Sequence, residues 1–103
     1  MALTNYHIKN GYIYENETAK EFSFINGVEM KIQGTGTGTY KVIGTFGNGT
    51  PKELFAVDMS TLDIEETCEN DTVYCIDVIG LTSVTVTDVS SDIEKIYADI
   101  YVK

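Results

Sequence analysis

The chain has 103 residues, of which 43% are hydrophobic, and its 16 acidic and 7 basic side chains give a formal net charge of -9. A chain of this length and composition is expected to form a single domain around one hydrophobic core. The negative charge repels phosphate backbones and anionic lipid headgroups, so neither a nucleic acid nor a membrane is an expected partner.

The beginning of the chain has none of the features of a targeting signal. Residues 1–7 (MALTNYH) lack the basic segment and the apolar core of a secretory signal peptide. No apolar stretch approaches the roughly 18 residues of a membrane-spanning helix. We therefore expect synthesis in the cytoplasm and reduced thiols at Cys68 and Cys75.

Three Asn-Gly pairs, at residues 10–11, 26–27 and 48–49, are the strongest short-range signals for β-hairpins. The first predicts pairing of residues 6–8 with 12–14, and the second predicts pairing of 22–24 with 28–32. In the second hairpin a three-residue loop places Phe24 opposite Val28 on one apolar face, with Gly27 in the left-handed region as a G1 bulge.

One of the remaining predicted strands precedes the third Asn-Gly pair, and the others lie between this pair and the end of the chain. They cover residues 40–46, 53–57, 64–68, 73–79, 84–89 and 96–102. In the last strand Ile96, Ala98 and Ile100 alternate with Tyr97 and Tyr101, which predicts a buried and an exposed face. Short strands without intervening helices predict an all-β fold, a single antiparallel β-sandwich (jelly-roll or immunoglobulin-like) with N-terminal hairpins.

No residue pattern supports catalysis. The Gly-Thr run at residues 34–39 lacks the Gly-Lys-Ser/Thr ending of a phosphate-binding loop and is better interpreted as a loop that leads into a strand. His7 is the single histidine, and Cys68 and Cys75 lack the second ligand pair of a zinc site. We expect no enzyme, and no catalytic, cofactor-binding or metal-binding residues.

Acidic residues cluster at 65–66, 69–71 and at Asp88 and Asp92. Such oxygen ligands suit Ca²⁺, and two facing carboxylates suit a glycosidase, but the EF-hand pattern is absent. A solvated acidic surface is the favoured interpretation. We therefore predict no cofactor. Ca²⁺ binding by these acidic loops is the alternative.

Tyrosine is the commonest aromatic residue, with seven copies. Exposed tyrosines are frequent in contact surfaces, because a rigid ring carries a polar tip. The candidates for partner contact are Tyr6, Tyr12, Tyr14, Tyr97 and Tyr101. Packing within the subunit is the alternative role for the same side chains.

Two segments carry a resemblance to a known family. Residues 32–42 (IQGTGTGTYKV) and 74–81 (YCIDVIGL), the latter followed by TSVTV, are similar to segments of a small β-sandwich domain of tailed-phage virion proteins. The resemblance covers about the last 70 residues, and residues 70–73 (NDTV) stand where that family has a glycine. It divides the single domain 1–103 into an N-terminal hairpin region (1–29) and a family-like core (30–103).

The resemblance implies a non-enzymatic phage or prophage structural protein on the capsid or tail surface. Its implied partners are other virion proteins and further copies of the chain, and its implied location is the virion. The alternative is a carbohydrate-binding module at a fibre tip, with a host-surface glycan as its ligand. Residues 1–29 lie outside the resemblance. Because a lone hairpin is marginally stable and both faces of residues 12–14 carry aromatic or apolar side chains, we predict that the first hairpin, residues 6–14, contributes to a contact between molecules.

Overall fold

Residues 7–103, the part of the chain that the computed structural model describes, are built from β-strands joined by turns. No helix in this part is long and apolar enough to cross a membrane. The strands are β1 (His7–Glu15), β2 (Thr18–Ala19), β3 (Phe22–Ser23), β4 (Gly27–Gly36), β5 (Thr39–Phe46), β6 (Pro51–Leu54), β7 (Ala56–Asp58), β8 (Ile64–Glu65), β9 (Cys68–Glu69), β10 (Tyr74–Asp77), β11 (Leu81–Thr87) and β12 (Ile93–Val102).

The strands form two antiparallel sheets that pack together. The large sheet has the order β2-β1-β12-β4-β10-β7-β8, and the small sheet has the order β3-β11-β5-β6, with β9 also paired to β5. The prediction of an all-β antiparallel sandwich is therefore confirmed.

The core lies between the sheets and is filled from alternate positions of the strands. Ile96, Ala98 and Ile100 are fully buried, as the period-2 pattern predicts, and Val84 and Val86 of β11 meet them from the small sheet's side. The other buried apolar side chains are Ile13, Tyr14, Phe24, Met30, Ile32, Tyr40, Val42, Ala56, Cys68, Tyr74, Ile76, Val78, Leu81 and Ile93.

The predicted first hairpin is wrong. Strand β1 runs without a turn through Asn10 and Gly11, which lie opposite Asp99 and Ala98 of β12. The long strand β12 offers β1 hydrogen-bond partners along nearly its whole length, which a short hairpin cannot match. The turn comes later, where Asn16 and Glu17 both adopt positive φ (54° and 60°), as a type I′ turn between β1 and β2 requires. The predicted partner segment begins at Tyr6, which lies outside the described residues.

The predicted second hairpin is also wrong. Phe22 in β3 pairs with Val84 of the small sheet, whereas β4 belongs to the large sheet, so the chain crosses between the sheets here. Asn26, not Gly27, takes the positive φ, at 59°. Gly27 is needed for a different reason: a Cβ at this position would lie 2.3 Å from the Phe24 ring. The apolar face that suggested side-by-side pairing is used for packing between the sheets.

The third Asn-Gly pair does form a hairpin, between β5 and β6. Gly49 has φ of 85°, and the Asn48 side chain accepts a 3.0 Å hydrogen bond from the Thr50 amide. The predicted strands at 53–57 and 64–68 are each divided in two, because the chain changes sheet within them.

The Gly-Thr run forms the corner between β4 and β5. Gly36 and Gly38 have φ of 97° and 131°, and the Thr37 amide donates to the Asp92 carbonyl at 3.0 Å. The Asn70 side chain donates to the Gly36 carbonyl. These bonds account for the glycines as elements of a tight corner.

Candidate contact face

The face of the large sheet that is turned away from the small sheet is here called the outer face. Its members alternate with the core residues along each strand and stand opposite one another in the register. They are Ile8, Asn10 and Tyr12 of β1, Lys95, Tyr97, Asp99 and Tyr101 of β12, Glu29, Lys31 and Gln33 of β4, Cys75 and Asp77 of β10, Val57 of β7 and Ile64 of β8.

Three of the predicted contact residues lie together on this face, and we call them the tyrosine strip: Tyr12, Tyr97 and Tyr101. The rings of Tyr12 and Tyr97 pack edge-to-face with centroids 5.1 Å apart. The Lys95 ammonium lies 5.0 Å from the centre of the Tyr12 ring. Tyr12 remains 43% exposed and Tyr97 37% exposed, so this ordered cluster faces solvent.

Tyr101 stands at the other end of the strip. It lies opposite Ile8 and Glu29 on the two neighbouring strands, and the Lys31 ammonium is 5.5 Å from the centre of its ring. Between Tyr97 and Tyr101, Asp99 lies opposite Lys31. The register thus confirms the prediction that Tyr97 and Tyr101 lie on the face of β12 opposite its buried residues, and it places Asp99 on the same face.

Of the two other predicted contact residues, the structure describes Tyr14, and it is not on this face. A bulge between Tyr12 and Tyr14 turns both Ile13 and Tyr14 inward, and Tyr14 is only 8% exposed. Tyr14 therefore packs within the subunit, and we do not count it in the contact surface. Tyr6 lies outside the described residues.

A band of charged residues on β4 and β10, here called the charged band, separates the tyrosine strip from the far edge of the sheet and consists of Glu29, Lys31 and Asp77. The Cys75 thiol donates a hydrogen bond to the Glu29 carboxylate across the β4–β10 pair. Burial, together with this bond and the charge of Glu29, raises the pKa of Cys75 to about 11. The thiol is therefore protonated at neutral pH and is not poised as a nucleophile.

The far edge of the large sheet carries exposed apolar side chains that the sequence analysis does not identify as candidate contact residues. We call them the edge patch: Met59, Leu62, Ile64 and Val73. Ile64 lies opposite Val57 on the outer face, and the Met59 amide donates to the Val73 carbonyl at 3.0 Å, which joins the ends of β7 and β10. Leu62 is 72% exposed and Ile64 is 70% exposed.

The turn that displays Leu62 is organised by Asp58. One oxygen of this carboxylate accepts from the Ser60 hydroxyl at 2.7 Å, the Ser60 amide at 2.8 Å and the Thr61 amide at 3.3 Å. The bonds from Ser60 lower the pKa of Asp58. The Leu62 amide donates to the Asp58 carbonyl at 2.7 Å, and Leu62 adopts φ of 66°.

The core includes side chains that carry a thiol or a hydroxyl, among them Cys68, Tyr40 and Tyr74. Burial raises the pKa of Cys68 to about 12 and also raises the pKa of Tyr40, whose buried hydroxyl has no hydrogen-bond partner. The Tyr74 hydroxyl accepts from the Glu69 amide at 2.9 Å. Both cysteines are free thiols. Within residues 7–103, no three His, Cys, Asp or Glu side chains converge as metal ligands would.

Comparison with known proteins finds similarity in structure but not in sequence. No family profile and no curated protein sequence matches the chain. The fold is similar to the crystal structure of the SPBc2 prophage-derived protein YomS, with a TM-score of 0.78 and 14% identity, over 93% of this chain and 94% of that one.

A second solved structure, the PBSX exported protein XepA, aligns with a TM-score of 0.80 and 8% identity. The alignment covers 94% of this chain but only 38% of XepA, so the chain corresponds to a part of that protein. At these identities the likeness is one of fold. The β-sandwich of this chain is therefore a fold that a prophage-derived protein and part of an exported protein also have.

Proposed function

We propose that the chain is a non-enzymatic structural protein of a phage or prophage, which acts by assembly and contact on the capsid or tail surface of the virion. The observation that carries the proposal is the structural match to YomS, a prophage-derived protein, which the alignment covers over 94% of its length. The family resemblance of residues 32–42 and 74–81 points in the same direction.

The outer face gives this proposal a physical basis. Aromatic side chains held on a rigid sheet lose little conformational entropy on binding, and they are enriched in the buried centres of protein interfaces. Here Tyr12 and Tyr97 are fixed against each other before any partner arrives, because their rings already pack together. We propose other virion proteins, and further copies of this chain, as the partners of this face.

A carbohydrate ligand is the second candidate, because Asn10, Gln33 and Asp99 offer hydrogen-bonding groups between the tyrosines. Sugars stack on free ring faces, however, and ammonium groups lie over Tyr12 and Tyr101. This arrangement favours protein contact. A glycan array with and without Ca²⁺ tests the alternative, and binding that disappears in the Tyr97→Ser variant would establish it.

The proposal is tested by asking where the protein is found when phage particles are made. Particles are induced from the host that carries the gene and purified on a density gradient, and each fraction is analysed by quantitative mass spectrometry. We expect this chain to follow the major capsid protein at a constant ratio. Recovery only in the soluble lysate, or only in particle-free culture fluid as for an exported protein, would contradict a virion role.

A further inference from the structure

We propose that the edge patch binds a partner protein through an extended segment in which apolar side chains alternate with Lys or Arg. The inference rests on the proposed contact function and names the chemistry of one partner. The edge patch lies across the charged band from the tyrosine strip and is therefore a second contact region on the large sheet.

The exposure of the edge patch has no explanation in the folding of this subunit. Ile64 and Leu62 leave most of their apolar surface in water, beside the exposed Met59 and Val73. Exposed large apolar side chains that are concentrated at one edge of a sheet are typical of interaction sites in soluble proteins. Leu62 adds a second observation, because leucine is disfavoured at its φ of 66°, where glycine or asparagine is usual. A disfavoured backbone that displays an apolar side chain to solvent is typical of a functional site.

The patch is also held ready for binding. The carboxylate of Asp58 accepts three hydrogen bonds inside the turn, and the Asp58 amide donates to the Asp63 carbonyl at 2.9 Å. These bonds fix the turn in the absence of a partner. A preformed surface loses less conformational entropy when it binds.

The charge around the patch selects the chemistry of the partner. Asp63 and Glu65 flank Ile64 in the chain, Asp58 lies in the turn that displays Leu62, and Asp71 lines a surface cavity together with Met59 and Val73. Lys31, which lies opposite Cys75 on β4, directs its ammonium over Tyr101. The patch is therefore apolar within an acidic surrounding, and Lys or Arg beside the partner's apolar side chains complements it.

The same charge argues against two other occupants. A second copy that presents the same patch face to face brings two acidic surroundings together, which costs binding free energy. An anionic lipid surface is repelled for the same reason. A basic partner segment is the occupant that the charges favour.

The position of the patch favours an extended segment. Strand β8 is the last strand of the large sheet, and within residues 7–103 no strand pairs with its outer side. Strand β8 has two residues, and successive residues direct their main-chain groups to opposite sides, so its outer edge offers the main-chain groups of one residue as an anchor for an added segment. Addition of a segment at a sheet edge is a common mode of peptide recognition. In such a strand every second side chain faces the same way as Ile64, which accounts for the alternation in the proposed partner.

Two synthetic peptides test the proposal against the full chain. Both have the same alternating Val and Ile residues, with Lys between them in one peptide and Glu in the other. Binding is followed by chemical shifts of the ¹⁵N-labelled chain and by calorimetry at two salt concentrations. We expect the Lys peptide to bind, to shift the amides of β7 and β8, and to bind more weakly at high salt. Equal binding of the Glu peptide, or shifts confined to other strands, would overturn the proposal.

Two variants assign the binding to the patch. Leu62→Gly removes the side chain while it suits the positive φ, so the variant is expected to fold at least as well as the wild type and to bind the Lys peptide about tenfold more weakly. Ile64→Ser is expected to weaken binding similarly. The matched control is Ile25→Ser, at an exposed position in the turn between β3 and β4, and its binding is expected to be unchanged. Unchanged affinity in Leu62→Gly would contradict the proposal.

The remaining occupants give distinct results. If native mass spectrometry shows a dimer that Ile64→Ser dissociates, the occupant is a second copy and the proposal is wrong. If the wild type binds anionic vesicles and Leu62→Gly does not, a membrane is the occupant and the proposal is again wrong. Loss of particle association with intact peptide binding would contradict the virion role and leave the edge patch proposal standing.

Discussion

The ring of Tyr97 meets the ring of Tyr12 edge-on, at an interplanar angle of 72° and a centroid distance of 5.1 Å. The register of β1 against β12 places these two residues directly opposite each other. Both rings face solvent, so the pair contributes to the shape of the outer face more than to the core. Its stability contribution and its role in contact can therefore be measured separately.

A double-mutant cycle measures the Tyr12–Tyr97 interaction. We expect Tyr12→Ala and Tyr97→Ala to show a coupling free energy of about 0.5–1.5 kcal/mol, because edge-to-face aromatic pairs contribute this much beyond buried area. The measurement is urea unfolding of the wild type, the two single variants and the double variant. The matched control is the Tyr12/Tyr101 cycle, in which the rings do not pack together and the effects should add. Additive effects in the Tyr12/Tyr97 cycle would show that the packing contributes nothing.

The position of β1 inside the large sheet leads to a second prediction. Ile13→Ala should lower the free energy of unfolding by about 2–5 kcal/mol, because Ile13 is fully buried between the sheets. Ile8→Ala, at an exposed position of the same strand, should change it by less than about 0.5 kcal/mol. Thermal and urea unfolding of both variants provide the measurement.

Deletion of residues 1–18 extends the same test. The truncated chain should fail to fold, because it lacks the strand that pairs with β12 at eight positions. This expectation replaces the hypothesis that residues 6–14 form a detachable hairpin for contact between molecules. A truncated chain with a cooperative unfolding transition would restore that hypothesis.

The corner between β4 and β5 predicts a large difference between two glycines. Gly36→Ala should destabilise strongly, because its Cβ would lie 2.3 Å from the Asp92 carbonyl oxygen at a φ of 97°. Gly49 has a similar φ of 85°, but no atom lies within 4 Å of an added Cβ. Gly49→Ala should therefore lower the free energy of unfolding only by the cost of the left-handed backbone, about 1–2 kcal/mol. Similar unfolding midpoints for the two variants would contradict the crowded corner.

The thiol of Cys75 should lose its proton at a higher pH than an ordinary cysteine and should therefore react slowly with alkylating reagents. A pKa of about 11, against the usual 9.0, makes alkylation at pH 8 slower by about tenfold or more in the folded than in the unfolded chain, because the thiolate is the reactive form and the greater nucleophilicity of a high-pKa thiolate offsets only part of its lower abundance. Since the unfolded thiol ionises first, this group contributes stability below pH 9 that is lost as pH rises from about 9 to about 11. Mass spectrometry of alkylated peptides gives the rate at each pH. Glu29→Gln removes a cause of the shift and should speed the reaction, and equal rates in the two proteins would refute the role of Glu29.

The sequence predicts those features of the fold that depend on neighbouring residues. Alternation in β12 correctly places Ile96 and Ile100 inside, and Asn48-Gly49 correctly marks a hairpin. The same dipeptide at Asn10-Gly11 fails, because a distant strand competes for the pairing and a local signal contains no information on that competitor.

For the candidate contact face, the sequence likewise predicts only the features that depend on a single strand. Tyr97 and Tyr101 follow from the alternation of one strand, but the partner of Tyr97 depends on the register between the first and last strands. The sequence pattern predicts a strand at residues 64–68, but it contains no information on whether a neighbouring strand or sheet covers Ile64. Only the sheet order shows that β8 is an edge strand and that Ile64 lies in the open.

The most direct test of the central claim compares how variants of this chain associate with phage particles. Wild-type protein, the Tyr97→Ser/Tyr101→Ser variant on the outer face and the Lys52→Ser control on the small sheet are each expressed during particle production. The fraction that sediments with particles is then measured by quantitative mass spectrometry. We predict that the wild type and Lys52→Ser sediment with the particles and that the tyrosine variant, folded by circular dichroism, stays in the supernatant. Equal sedimentation of all three proteins, or absence of the wild type from the particles, would contradict the account.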